Sequence, residues 1–233
     1  MNKIITAIIF IALSSVSANA GKFGDLGLSV TAGIASNEGV FGASGTETNL
    51  TDTGTAGHIK EEHGVFIDGF ASQFLELGIG NWVSVGYEIT PDSVSTPEDT
   101  SREGTNAEGK VSVDFNDLTT TYLKINLPIL EGAYFKTGTV KTDLDIKESM
   151  NSGSTYANVS TEGEYMALGY AKMLGDRGFG IRFESGYLEL DDVTTNNGVT
   201  TASVANGGKN TIKADHLEGL VGKIALTFTL GNK

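Results

Sequence analysis

The residues with the clearest chemical potential are charged side chains that alternate with apolar ones along predicted strands. Successive side chains of a strand point to opposite faces, so each charge falls on the face opposite the apolar residues. Acids and bases occur in equal number, three of each, which predicts ion pairing in a shared interior. This lumen set consists of Glu76, Glu88, Lys124, Arg182, Glu184 and Lys223.

Two environments fit this charged face. In a membrane barrel the charges line the lumen, where burial is tolerated only if each is paired and hydrogen-bonded. Tyr122 and Tyr165 are then expected to pack beside them. In a soluble barrel the same charges face water as scattered surface residues. The direction of the apolar face decides between the two.

Catalytic chemistry has weak support. The chain holds three histidines, His58, His63 and His216. His63 and His216 are predicted to approach each other because the first and last strands of a closed barrel are neighbours, with Ser29 or Ser72 near in principle. Neither a His-x-Ser nor a Gly-x-Ser-x-Gly pattern accompanies them. We expect rim histidines and no catalytic residues.

Paired acids in or near the predicted loops raise the question of a divalent cation, which prefers clustered carboxylates. EF-hand spacing is missing, so we expect solvated loop charge and no metal or cofactor site. The pairs are Glu61–Glu62, Glu98–Asp99, Asp143/Asp145 and Asp191–Asp192.

The closing strand, 217–230, shows the alternation most clearly. Its length suits one pass through a bilayer as a tilted strand of roughly 9–11 residues. One face is small or polar and contains Lys223. The other face, predicted to contact lipid, carries Leu220, Ile224, Leu226, Phe228 and Leu230.

The pattern predicts eight strands joined by alternating long and short connections, which is typical of an outer-membrane barrel. A bulge is predicted near 69–73 in the second strand, and the orientation of the fifth stays open. The strands are expected at 26–34, within 64–79, 82–90, up to 127, 133–146, 159–173, 179–190 and 217–230; the long loops at 37–62, 91–110, 148–158 and 192–210.

The N-terminal residues predict export of the protein, and the composition argues against several classes of function. Residues 1–20 have a basic start, an apolar segment and a small-x-small end, so we expect a signal peptide followed by one barrel domain over 21–233. The formal charge of −13 argues against nucleic-acid binding. The chain lacks cysteine, which excludes disulfides and thiolate metal sites.

Aromatic residues fall near both strand ends, as in the two interfacial girdles of membrane barrels. Trp82, Tyr134 and Phe179 lie next to the short turns. Tyr87, Tyr187 and Phe66 lie toward the long loops.

The signal peptide, the eight alternating strands, the GDRG turn at 175–178 and the closing LTFTL at 226–230 together resemble small outer-membrane barrels, the OmpA/OmpX-like and opacity-protein-like surface antigens of Gram-negative bacteria. The resemblance covers 21–233 and is one of layout. It implies a salt-bridged lumen, contact with outer-membrane lipids and lipopolysaccharide, and insertion by the barrel-assembly machinery. One departure is the closing strand, which lacks the family's terminal aromatic because Phe228 is followed by further residues.

The predicted architecture is therefore an all-β, eight-stranded antiparallel up-and-down transmembrane barrel in the cell outer membrane. The expected function is non-enzymatic: membrane integrity and surface interaction, a possible extracellular ligand bound through the loops, and at most narrow-pore conduction. Two alternatives stay open, a soluble periplasmic ligand-binding barrel and a lipid-modifying barrel enzyme dependent on His63 or His216.

Overall fold

The structure of the protein, a computed structural model, describes residues 25–50, 56–103, 107–149, 156–199 and 209–231. The predicted signal peptide at 1–20 lies outside these residues. Among the described residues, no helix is long and apolar enough to cross a membrane.

Strands make up almost all of the described chain, and every strand pairing is antiparallel. The strands are β1 (Leu28–Leu50), β2 (Ala56–Ile79), β3 (Val83–Ile89), β4 (Val94–Ser95), β5 (Asp99–Glu103), β6 (Ala107–Asn126), β7 (Ala133–Ser149), β8 (Val159–Met173), β9 (Phe179–Leu190), β10 (Val193–Asn196) and β11 (Asn210–Leu230).

In the described part of the chain, eight strands form a closed ring in the order β1-β2-β3-β6-β7-β8-β9-β11, and β11 pairs back to β1. The short strands β4, β5 and β10 pair onto β6 and β11 outside this ring. Next to the short turns, closure pairs each ring strand on both sides, β2 with β3 over Gln73–Ile79. The predicted eight-stranded antiparallel barrel is confirmed.

The register of the ring fixes the tilt of its strands. The chain of paired residues that starts at Leu28 passes once around the ring and returns to β1 at Glu38, ten residues further along the strand. A stagger of this size over eight strands corresponds to a tilt of about 40°. Ten residues of such a strand rise about 25 Å, the height of the apolar band of a membrane barrel.

Short turns lie at one end of the barrel, at 80–82, 127–132 and 174–178, as predicted. The strands at the other end are longer than predicted. β1 and β2 continue through most of the expected loop 37–62. β11 begins at Asn210, before its predicted start at 217, and β6 begins at Ala107, inside the expected loop 91–110. These polar segments lack apolar alternation because both of their faces meet water above the band, yet their backbones still pair.

The predicted bulge at 69–73 is wrong, because β2 pairs with β1 without a shift from Ile79 to His58. The register shifts near the long-loop end instead, beside Gly42 and Asn49 on β1 and beside Asn116 on β6. His216 lies at the shift beside Gly42 and Asp117 at the shift beside Asn116, and both residues have positive φ. Bulges are common at the rims of barrels, where they bend a strand.

The outside of the barrel is apolar over the height of the band. Soluble monomers rarely expose such a continuous apolar surface. The soluble ligand-binding alternative requires apolar side chains pointing inward, so the structure does not support it. Exposed outward residues include Ile34, Leu77, Ile79, Val85, Leu123, Ile125, Leu168, Phe183, Ile224 and Leu226.

Candidate functional site in the barrel lumen

The interior of the barrel holds the charged residues singled out by the sequence. The structure places all six members of the lumen set inside the ring, each buried. Lys136 on β7 lies among them with 1% of its surface exposed. We call these seven residues the lumen cluster: Glu76, Glu88, Lys124, Lys136, Arg182, Glu184 and Lys223.

Glu76 on β2 anchors the first part of the cluster. Both of its carboxylate oxygens accept a bond from the Arg182 guanidinium, at 2.6 Å each. The Lys124 ammonium donates to Oε2 at 2.9 Å, and the Tyr122 hydroxyl donates to Oε1 at 2.9 Å. A bidentate arginine pair is the strongest carboxylate geometry available to a side chain.

Glu88 on β3 anchors the second part. The Lys223 ammonium donates to both of its oxygens, at 2.6 and 2.8 Å. The Ser72 hydroxyl donates to Oε1 at 2.6 Å and in turn accepts from the Asn37 amide at 2.9 Å. Glu88 is therefore held by a cation on β11 and by a hydrogen-bonded chain from β1 and β2.

Glu184 on β9 anchors the third part. The Lys136 ammonium lies 2.9 Å from Oε2, and the Lys223 ammonium lies 3.2 Å from Oε1. Two tyrosine hydroxyls complete its shell, Tyr165 at 2.6 Å and Tyr134 at 2.9 Å. Since Lys223 contacts both Glu88 and Glu184, the second and third parts form one network.

Glycines on adjacent strands allow the tyrosine rings to lie flat against the barrel wall. Tyr122 pairs with Gly86, and Tyr134 pairs with Gly169. A Cβ atom at Gly86 or Gly169 would lie 2.3 or 2.2 Å from the ring concerned. Only glycine permits this approach, which lets each phenol reach a carboxylate near the centre of the lumen.

An apolar layer fills the lumen on the long-loop side of the cluster. On the inward face of β9, Leu188 and Leu190 follow Arg182 and Glu184 toward the long-loop end. One cavity of about 30 Å³ lies in this layer, with room for about one water molecule. Its members include Val140, Leu188, Leu190, Leu217 and Val221, with Phe41, Phe70, Phe115 and Leu118 packed against them.

Lys136 is the cluster member that the sequence did not identify, because the fifth strand was left without an orientation. The structure turns Tyr134, Lys136 and Val140 inward. The confusing charge on the other face, Lys141, lies above the band and forms an exposed pair with Glu162 at 2.6 Å. Restricting the face comparison to the eight residues next to the short turn, 133–140, would have excluded Lys141 and assigned Lys136 to the lumen.

The closing strand presents its predicted face outward. Leu220, Ile224 and Leu226 are 61%, 54% and 58% exposed. Phe228 and Leu230 lie on the same face and are half-buried, and Phe228 packs against Phe179 at 5.1 Å between ring centroids. On the opposite face Lys223 points into the lumen.

The aromatic girdles are only partly as predicted. Three of the predicted girdle residues are exposed on the outside: Trp82, Phe179 and Tyr87. The Tyr187 hydroxyl donates a hydrogen bond to the Glu218 carboxylate on the same outer face, at 2.7 Å. Tyr134 and Phe66 were assigned wrongly. Tyr134 is fully buried in the lumen, and Phe66 stacks on Phe41 at 5.2 Å.

Among the described residues, His63 and His216 do not form a catalytic triad. β1 lies between the strands that carry His63 and His216. Ser44, rather than Ser29 or Ser72, shares a hydrogen bond with His63 Nδ1 at 2.8 Å on the exposed outer rim. Among the described residues, no carboxylate hydrogen-bonds His63, so the pair lacks an orienting group. The side chain of His58 lies outside the described part.

Two acids of the rim share one lysine. Asp192 and Asp215 both contact Lys213, at 2.9 and 3.0 Å. Hydrogen bonds from Lys213 and then from His216 lower the pKa of Asp215. Among the described residues, no group of three or more His, Asp or Glu side chains is arranged to hold a metal ion.

No family model and no curated protein matches the sequence. Solved structures do resemble the barrel. The outer membrane protein OprG from Pseudomonas aeruginosa aligns with a TM-score of 0.54 at 14% identity, over 85% of this chain and 96% of that chain. The outer membrane protease OmpT from Escherichia coli aligns at 0.45 and 11%, over 87% and 97%. The outer membrane protein AlkL aligns at 0.43 and 11%, over 85% and 90%. At the identity of OprG the likeness shows the fold, which is that of an outer-membrane β-barrel.

Proposed function

We propose that this protein is a non-enzymatic outer-membrane barrel that supports membrane integrity and surface interaction, with a lumen closed to solutes. The observation that carries the proposal is the lumen cluster, in which each carboxylate is paired with at least one base and further hydrogen-bonded. Buried charges paired in this way stabilise one closed arrangement of the barrel.

Two properties favour placement in the outer membrane. Large apolar side chains face outward, and a strand with the tilt given by the register crosses an apolar band of about 25 Å in about ten residues. Outer-membrane lipids and lipopolysaccharide are then its immediate surroundings, and the barrel-assembly machinery inserts it.

The filled interior argues against a wide pore. Eight-stranded barrels have an interior just large enough for side chains. Here the cluster occupies the middle, and the apolar layer, which contains a cavity of about 30 Å³, lies on the long-loop side. Any conduction through the barrel is therefore narrow.

Surface interaction is supported by the paired strands that rise beyond the band. β1, β2, β6 and β11 each contain 20 or more residues, about twice the length that spans a bilayer. A rim built of paired strands and carrying acidic side chains offers a surface to an extracellular ligand.

Within the described part of the chain, the contact that an enzymatic role would use is the one between Ser44 and His63. The pair lies on an exposed strand surface, and nucleophilic catalysis needs a base held by a third group as well as donors for the developing oxyanion. We expect Ser44→Ala and His63→Ala to leave any lipid hydrolysis or proteolysis by the purified protein at background. Loss of a measurable activity in both variants would establish the enzyme instead.

Conductance in planar bilayers tests the closed lumen. Wild-type protein is expected to show only small or no current steps, and Lys136→Ala combined with Lys223→Ala is expected to enlarge them because two lumen cations are removed. Lys141→Ala, on the exposed outer face, is the matched control and should behave as wild type. Wild-type steps as large as those of a sixteen-stranded porin would overturn the proposal.

A further inference from the structure

One side of β2 has no neighbouring strand over its upper half. β3 pairs with β2 between Gln73 and Ile79, while β1 pairs with the other side of β2 as far as Ala56. The chain continues from β3 into β4 and β5, which pair with β6 instead. Within the described residues, the ring is therefore open beside β2 above Gln73. We call this side of the strand, over residues 61–71, the free edge of β2.

The free edge presents backbone donors and acceptors at alternate residues. In an antiparallel ladder, one residue directs both its N–H and its C=O to one neighbour, and the next residue directs both to the other side. The Gly80 N–H donates to the Gly27 carbonyl at 2.6 Å, which continues the pairing of β1 with β2, so the even-numbered residues of β2 bond to β1. The odd-numbered residues point away from β1, and on the free edge they are Glu61, His63, Val65, Ile67, Gly69 and Ala71.

The Asp68 carboxylate spans the lower end of this gap. Its Oδ1 accepts from the Gly69 N–H at 2.8 Å, and its Oδ2 accepts from the Ser95 N–H on β4 at 3.2 Å. Among the described residues, no backbone hydrogen bond joins β2 to another strand on this side above Gly69. The N–H and C=O groups of the odd-numbered residues from Glu61 to Ile67 therefore face open solvent.

Large apolar side chains lie exposed along the same stretch. Val65 and Ile67 face outward and are 76% and 66% exposed. About ten residues of a tilted strand cross the apolar band, and Gly69 is the tenth residue up from Ile79, so both side chains lie beyond the band. Proteins commonly protect an exposed strand edge with lysine or proline, and residues 61–72 contain neither. An edge of this kind favours the addition of a further strand.

We propose that the free edge of β2 binds an extended, basic segment of another protein, which pairs with residues 61–67 as an added antiparallel strand. The inference deepens the proposed surface interaction and rests on the exposure of the long-loop end that the membrane placement implies. Backbone pairing supplies the affinity. Apolar side chains of the partner, placed next to Val65 and Ile67, cover the exposed surface.

The charge around the free edge selects a basic partner. Glu61 and Asp92 are exposed, and Asp68 lies at the lower end of the gap. Residues 61–79 and 90–98 contain no lysine or arginine. Basic side chains of a partner therefore meet acids here, whereas the anionic head group of lipopolysaccharide is repelled.

A two-fold dimer of this chain cannot pair the free edge with itself. Two copies in one membrane have the same orientation, so the axis of the dimer runs along the membrane normal. With a strand tilt of about 40°, the two β2 strands would cross at about 80°. Adjacent strands of a sheet are rotated by at most about 35°, so the two edges cannot form a ladder.

The test measures the fluorescence anisotropy of a labelled peptide, Lys-Val-Thr-Val-Thr-Thr-Thr-Lys, with the full protein in detergent micelles. In the antiparallel register its valines lie opposite Ile67 and Val65, and its lysines lie opposite Asp68 and Glu61. We expect saturable binding. N-methylation of the second, fourth and sixth residues of the peptide removes N–H groups that face β2 and should abolish binding. N-methylation of the third, fifth and seventh residues leaves those groups in place, so this control peptide should still bind.

Two substitutions at Ile67 separate the backbone from the side chain. Ile67→Pro removes the free N–H but no bond to β1, and should weaken peptide binding about five- to ten-fold, as for one lost hydrogen bond. Ile67→Thr keeps the N–H and should weaken binding only about two-fold. Glu61→Gln should weaken it about two- to five-fold. Glu164→Gln, which changes an exposed carboxylate on β8 away from the gap, should bind as wild type.

Equal binding of the two methylated peptides, or of the two Ile67 variants, would overturn the inference. Failure of the unmodified peptide to bind, or its displacement by lipopolysaccharide, would do the same. Protease protection of the barrel in vesicles reports the membrane placement separately. A protected barrel that does not bind the peptide contradicts the inference alone, and an unprotected barrel that binds it in micelles contradicts the placement alone.

Discussion

Arg182 on β9 binds both carboxylate oxygens of Glu76 on β2 at 2.6 Å, although β2 and β9 are not neighbours in the ring. The pair therefore crosses the lumen and ties opposite walls together. Lys124 on β6 contacts the same carboxylate, so this one buried acid connects β2, β6 and β9.

Removing one partner of this pair should be costly. Glu76→Gln leaves Arg182 and Lys124 without their acid, and we expect the free energy of unfolding in lipid vesicles to fall by about 3–5 kcal/mol. Adding Arg182→Met to Glu76→Gln should recover part of that loss because the second buried charge is also gone. Strict additivity in this double-mutant cycle would show that the two residues do not interact.

The exposed pair Lys141–Glu162 is the control for the cycle. Its side chains are 64% and 57% exposed, so the same treatment, Glu162→Gln with Lys141→Met, should change the unfolding free energy by less than about 1 kcal/mol.

Tyr134→Phe removes only a hydroxyl, the one that donates to Glu184 at 2.9 Å. A hydrogen bond to a charged group contributes about 1.5–3 kcal/mol, so we expect a loss of that size in urea unfolding. Tyr170→Phe is the matched control, because Tyr170 faces outward on β8 and is 42% exposed. Equal effects in the two variants would contradict a role for the lumen hydroxyl.

A charge on the outer face should be penalised according to its depth. Leu226 lies four residues from the end of β11 and is 58% exposed, so Leu226→Arg places a charge well inside the band and should cost about 2–4 kcal/mol. Ile79→Arg, at the end of β2 next to a short turn, should cost about 0–1 kcal/mol. Vesicle unfolding curves measure both, and a reversed order would contradict the proposed depth.

Much of the barrel follows from alternation within the band. β8 and β9 have the predicted limits, 159–173 and 179–190, since a strand buried on one side and in contact with lipid on the other must alternate. The same rule placed Arg182, Glu184 and Lys223 on the inward face.

Alternation stops being informative where both faces meet the same medium. The upper parts of β1 and β2 were therefore predicted as loop, although their backbones pair as far as Leu50 and Ala56. The wrong prediction of a bulge in β2 has another cause, which is the position of its three phenylalanines. Phe66 and Phe70 pack in the apolar layer and Phe74 lies over Gly33, so an apolar face of β2 points inward and no bulge is needed.

The sequence could not predict which charged side chains contact each other inside the lumen. The contact between Lys136 and Glu184 at 2.9 Å depends on the tilt and stagger of the whole ring. The glycines beneath Tyr122 and Tyr134 depend on the same register, which no single strand reveals.

The direction of the side chains along β11 tests the central claim most directly. The chain contains no cysteine, so single cysteines at Ile224, Ala225, Leu226 and Thr227 can each carry a fluorescent label in vesicles that contain a lipid-borne quencher. We expect strong quenching at 224 and 226 and weak quenching at 225 and 227. Quenching at 225 and 227 instead, or equal weak quenching at all four positions, would contradict a barrel with its apolar face in lipid.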